Sequence, residues 1–258
     1  MTVHAHHGTW ESRDPQKAAR IVGWLFLATF LTSIPAALLY GPVLHHHDYI
    51  TGPGSDLQIS VGAFLELMLV IANIGTAVVL FPIAKRQSES LALGYVASRL
   101  IESALIAVGI VSVLAVVKLR HDLSATVGTD RPSLILTGRA LVAVHNWTFL
   151  LGPSFCAAFG NGILLGTLMF RSELVPRRLA LLGVVGGPLA LVAAWGVVFG
   201  VYDQNSSAQA VLTIPEILWE ASLGIYLVVK GFNPAGLQAL DTQERPQSIE
   251  VPPLVSIS

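Results

Sequence analysis

The sequence predicts an all-α polytopic bundle that crosses a membrane six times, with both termini in the cytoplasm. Three observations predict it. Of 258 residues, 53% are apolar and only 12% are charged, where a soluble domain carries about a quarter charged. Six stretches reach the roughly 20 apolar residues needed to cross about 30 Å of hydrocarbon. The basic residues are also unevenly divided between the two sets of loops, as the positive-inside rule requires.

Taken in order, residues 1–19 form a polar segment, and the first span runs from about Ile21 to Val43. That apolar run is longer than the ~7–15 residues of a signal-peptide core, which argues against cleavage. The second span covers Leu57 to Ala84 and the third Leu91 to Val117. The fourth, Ala140 to Phe170, is long enough to be tilted or kinked, with Pro153 dividing it. The fifth, Leu179 to Val201, has no ionisable residue. Its pairs Gly183/Gly187 and Gly196/Gly200 have the small-xxx-small spacing of close helix contacts, and the expectation is packing on two neighbours. The sixth span covers Ala210 to Val229, which closes a six-helix domain over 20–230. The polar, proline-containing tail, 231–258, is expected to be disordered.

Arg13, Lys17, Arg20, Lys85, Arg86, Arg171, Arg177, Arg178, Lys230 and Arg245 fall on one side of this arrangement, and Lys118, Arg120, Arg131 and Arg139 on the other. Ten against four places the first set, and both termini, in the cytoplasm. The net charge of -1 excludes a nucleic-acid partner, because no basic excess is present to neutralise phosphates. The lone Cys156 excludes an internal disulfide and a multi-cysteine metal site. The partner the composition requires is the lipid bilayer; it is silent on protein partners.

Five ionisable side chains remain at membrane depth: Glu66 in the second span, Arg99 and Glu102 in the third, Glu216 and Glu220 in the sixth. Each costs roughly 2.5–3.5 kcal/mol or more in hydrocarbon and should face the bundle interior. Helical spacing places Glu66 with Asn73, Arg99 with Glu102, and Glu216 with Glu220, so three helices present polar faces to one interior. One arginine cannot balance four carboxylates. At least two glutamates should therefore be neutral, or meet water or a cation. His145 is the only histidine within a span, too few for a haem held by two axial histidines, and no cofactor is expected. Asn73, Asn146 and Asn161 read as interhelical hydrogen-bonding groups. The clusters His4, His6, His7 and His45, His46, His47 with Asp48 lack a second ligand set at defined spacing, so no metal site is assigned to them.

The strings AARIVGWLFLATFLTSIPA, SRLIESAL, RSELVPRRLALLGVVGG and PEILWEASLGIYLVVKGF resemble the bacterial family called domain of unknown function 4386, over about Ala19 to Phe232. The resemblance implies a multi-pass integral protein of the bacterial plasma membrane with six or seven helices, and it implies no activity. Arg99, Glu102, Glu216 and Glu220 match the family's charged motif positions. Phosphate loops, dinucleotide fingerprints, GxSxG and HExxH are absent from the sequence, so an enzyme is not the leading expectation. That expectation is a small transport-like or ligand-binding module. Its candidates for substrate or proton binding are Glu66, Arg99, Glu102, His145, Glu216 and Glu220. The rival is a structural or partner-binding subunit in which Arg99 and the glutamates are packing clamps. An enzyme pairing His145 with a glutamate comes third.

Overall fold

The computed structural model describes residues 14–45, 49–51, 54–125 and 131–244. Within them the chain is helical: α1 (Pro15–Leu39), α2 (Gly41–His45), α3 (Asp56–Ala84), α4 (Glu89–Ala125), α5 (Arg131–Phe149), α6 (Gly166–Ser172), α7 (Arg177–Val198), α8 (Ser207–Val229) and α9 (Pro234–Glu244). Between α5 and α6 the chain stays helical in the wider π geometry, over Leu150–Cys156 and Ala158–Leu165. Six helices are long and apolar enough to cross a membrane: α1, α3, α4, the composite α5–α6, α7 and α8. This is the fold class that the sequence predicts.

Local chemistry sets the helix starts. Asp14, Ser55 and Ser206 cap α1, α3 and α8 by accepting from the backbone N–H groups of Gln16, Gln58 and Gln209. α1 also has Pro15 in its first turn, where a missing N–H costs nothing.

The spans alternate in direction. One face of the bundle, the proximal face, gathers the start of α1, the α3–α4 turn, the α6–α7 turn and the end of α8. Gln16 Nε2 there donates to the Phe232 carbonyl at 2.8 Å, and Asn233 N to the Leu174 carbonyl at 2.8 Å. The opposite, distal face holds α2 and the chain leading to α3. On it Arg120 contacts Asp56 at 2.7 Å and stacks over the Tyr49 ring at 4.8 Å.

Large apolar side chains point outward along the helices, among them Leu31, Ile34, Phe64, Ile71, Val111 and Val192, each more than half exposed. Such side chains on the outside of a bundle match a hydrocarbon solvent. The interior has two apolar layers. A proximal one contains Phe26, Leu80, Tyr95, Leu165, Trp219 and Leu227; a distal one contains Tyr40, Ile59, Ala63, Ile106, Ile110 and Val113. Along α3 and α4, the buried polar residues Glu66, Asn73, Arg99, Glu102 and Ser103 lie chiefly where one layer gives way to the other.

Three expectations are modified. The tail opens with the helix α9, whose Asp241 pairs with Arg86. The fifth span packs on two neighbours as expected, α8 and the π-helical segment, but the first glycine pair alone serves both contacts. Gly183 and Gly187 admit Trp219 and the Gly162 backbone, whereas Gly196 seats the Tyr202 ring of the following loop and Gly200 ends the helix at φ 69°. The fourth span is not simply kinked at Pro153 but wound as a π-helix on both sides of Ala157. His4, His6, His7, His46, His47 and Asp48 lie outside the described residues.

Candidate functional site

Arg99 is the centre of the polar interior, at 2% exposure. Its Nη1 donates to Glu102 Oε2 at 2.7 Å, one turn further along α4. Its Nη2 donates to Asn73 Oδ1 on α3 at 2.5 Å, and Asn73 Nδ2 donates to Glu102 Oε1 at 3.1 Å. The three side chains thus close a ring that joins two helices. The guanidinium also stands 5.9 Å from the centre of the Phe26 ring of α1. Spacing alone places Arg99 beside Glu102; the antiparallel register of α3 and α4 brings Asn73 across from both.

On the other side of this ring lies α8. Glu220 is within electrostatic reach of both Arg99 and Glu102. It accepts from Asn161 Nδ2 at 2.6 Å, and the Asn161 carbonyl accepts from Trp219 Nε1 at 2.9 Å. Glu216, one turn away on α8, is 4% exposed, and neither of its carboxylate oxygens has a hydrogen-bond partner among the described residues. It interacts electrostatically with Glu220 and Glu102. Two carboxylates, Glu102 and Glu220, therefore share one guanidinium, and Glu216 stands as a third carboxyl beside them.

Glycine makes that proximity possible. A methyl on Gly162 would meet Glu216 Oε2 at 2.6 Å and would strike the Gly187 backbone, so the π-helical segment, α7 and α8 converge only because no side chain intervenes there. Pro153 lacks the N–H that a helix needs, which leaves a carbonyl of the preceding turn without its usual donor. Further along, the Cys156 carbonyl accepts from Ser98 Oγ at 2.7 Å, one residue before Arg99.

Glu66 and His145 are not in this cluster. Together with Tyr40 they form a second polar group closer to the distal face. The Tyr40 and His145 rings meet edge to face with centres 5.5 Å apart. The Tyr40 hydroxyl faces the Glu66 carboxyl without closing a hydrogen bond of normal geometry. Tyr40 Oη, Glu66 Oε2 and His145 Nδ1 are all buried and, among the described residues, without a hydrogen-bond partner of normal geometry. The structure thus splits the six candidates into two groups, Arg99, Glu102, Glu216 and Glu220 in one and Glu66 with His145 in the other. It adds Tyr40, Ser98 and Trp219, which sequence reasoning missed. Tyr40 sits at the end of an apolar run, where an aromatic reads as an interfacial anchor, and only the packing of α1 against α3 shows it turned inward over Gly62. Among the described residues no group of three or more His, Cys, Asp or Glu is placed to hold a metal ion.

No curated protein and no solved structure matches the chain. The model of one protein family does, over residues 21–231, which contain every residue of both polar groups. With all six spans inside that match but for residues 15–20 of α1, the chain belongs to the family described as domain of unknown function 4386.

Proposed function

We propose that this chain is a small transport-like or binding module of the bacterial plasma membrane, in which the carboxylates around Arg99 take up and release a proton, or a cation in its place. The observation that carries this reading is Glu216. It is a buried carboxyl with no hydrogen-bond partner on either oxygen among the described residues, held beside two further carboxyls that already share the one guanidinium. A packing clamp needs partners for its charges, and Glu216 has none to offer. A proton or a small cation supplies what the protein leaves out.

Purified protein reconstituted in vesicles with an internal pH indicator and an imposed potassium diffusion potential tests this. Proton or monovalent-cation flux is expected in the parent protein and lost in Glu216→Gln and Glu220→Gln. Equal flux in all three and in empty vesicles contradicts it. A structural reading is favoured for part of the site by one observation, the closed ring of Arg99, Asn73 and Glu102. In this proposal that ring is the fixed frame against which the α8 carboxyls change state.

A further inference from the structure

The Tyr40–Glu66–His145 group has a feature that packing alone does not require. Three polar atoms, from Tyr40 at the α1–α2 junction, Glu66 on α3 and His145 on α5, are each buried and, among the described residues, without a hydrogen-bond partner of normal geometry. Unsatisfied buried polar atoms are uncommon, and each costs about 1–3 kcal/mol unless something else meets it. The surrounding residues are shaped to admit the group. A methyl on Gly62 would meet the Tyr40 ring at 2.8 Å, and one on Gly109 would meet Thr148 Oγ1 at 3.0 Å and His145 Cδ2 at 3.4 Å.

Toward the distal face from this group is a cavity of about 310 Å³, ample for several waters. Its walls include Val43 and Leu44, which follow Tyr40 by one helical turn, and Val142 and Asn146, which flank His145 on α5. Tyr49 and Arg139 stand at its distal end. The cavity thus approaches within one turn of the buried group on both α2 and α5.

We propose that Tyr40, Glu66 and His145 form a second site, which binds a proton delivered from the distal side through this cavity. The titratable groups facing it are Tyr40 from α1, Glu66 from α3 and His145 from α5; α4 presents Ile106, Gly109 and Ile110, none of which titrates. Arg139 and Tyr49 border only the access path. The bound proton lies among the Glu66 carboxyl, the Tyr40 hydroxyl and His145 Nδ1, groups that between them offer both donor and acceptor positions. This site stands independently of the Arg99 cluster.

The test uses the full chain with Cys156→Ser in sealed vesicles. Val142→Cys lines the cavity, while Val144→Cys faces lipid at a similar depth on the same helix. A membrane-impermeant maleimide applied to the distal side should label Val142→Cys readily and Val144→Cys hardly at all, because a thiol reacts as the thiolate and needs water. In infrared difference spectra of the reconstituted protein, acidification should add a protonated-carboxyl band that is lost in Glu66→Gln, shifted in Tyr40→Phe and His145→Gln, and retained in Glu216→Gln. A Val142→Cys variant as slow as Val144→Cys overturns the access path. A band that persists in Glu66→Gln overturns the site. Where Glu66→Gln fails to fold, an unshifted band in both Tyr40→Phe and His145→Gln overturns it equally.

Discussion

Arg99 touches or faces four helices, α1 through Phe26, α3 through Asn73, its own α4 through Glu102 and α8 through Glu220. Removing one partner of a buried ion pair leaves the other charge uncompensated, at a cost of about 3–5 kcal/mol. Arg99→Ala is therefore expected to lower stability by that order, read as detergent melting temperature or folding yield. Asn73→Ala, which deletes a neutral member of the ring, should cost about 0.6–2 kcal/mol by the same assay, the range of interhelical hydrogen bonds in membranes. Equal effects would mean that the charge is not what the ring holds. On the distal face Tyr49 Oη donates to Asp56 at 2.9 Å. Burial first, and this hydrogen bond second, push the phenol from 10.0 up to about 12, against the opposing Arg120. The folded protein thus holds that proton more tightly than the unfolded chain. Its contribution to stability is complete below about pH 10 and is lost as pH rises toward about 12. A melting temperature that falls over that window in the parent, and falls less in Tyr49→Phe, is the expected result.

The π-helical stretch is the element that sequence reasoning reads least well. Pro153 and a run of some thirty apolar residues predict a kink or a tilt, but period and length say nothing about which carbonyls are freed or which neighbour meets them. That depends on Ser98 lying across from Cys156 and on Gly162 meeting Gly187, both tertiary facts. The charged pairs were easier to read, because Arg99/Glu102 and Glu216/Glu220 are one turn apart and a helix puts such residues on one face whatever surrounds them. Their division from Glu66 and His145 was hidden, since it follows from the depth at which each helix is set. Gly162→Ala should force the π-helical segment away from α7 and displace the Glu216 carboxylate. Overpacking of this kind costs about 1–3 kcal/mol, and a lower melting temperature with loss of flux is the expected outcome. Gly200→Ala, strained at φ 69° but with no neighbour in reach, should cost about 1–2 kcal/mol of stability and leave flux intact.

For the whole molecule, charge scarcity does two things. It makes the bundle soluble in lipid, with apolar side chains outward and two apolar layers inward. It also confines the few buried ionisable side chains to two interior groups, one around Arg99 and one around Glu66. The ten-to-four division of basic residues predicts that the proximal face lies toward the cytoplasm. On intact cells, with Cys156→Ser as background, an impermeant thiol reagent should label Asp203→Cys in the distal loop and spare Ser90→Cys at the start of α4. The reverse pattern would invert the topology and put the cavity below Arg139 on the inner side. The central claim concerns Glu216, and the most direct measurement is its protonation in the reconstituted protein, followed by infrared spectroscopy as pH is raised through and beyond the carboxylate range. A protonated-carboxyl band that is absent in Glu216→Gln and disappears reversibly with rising pH is predicted. A Glu216 band of constant amplitude across the range would mark a permanently protonated packing group and contradict the account.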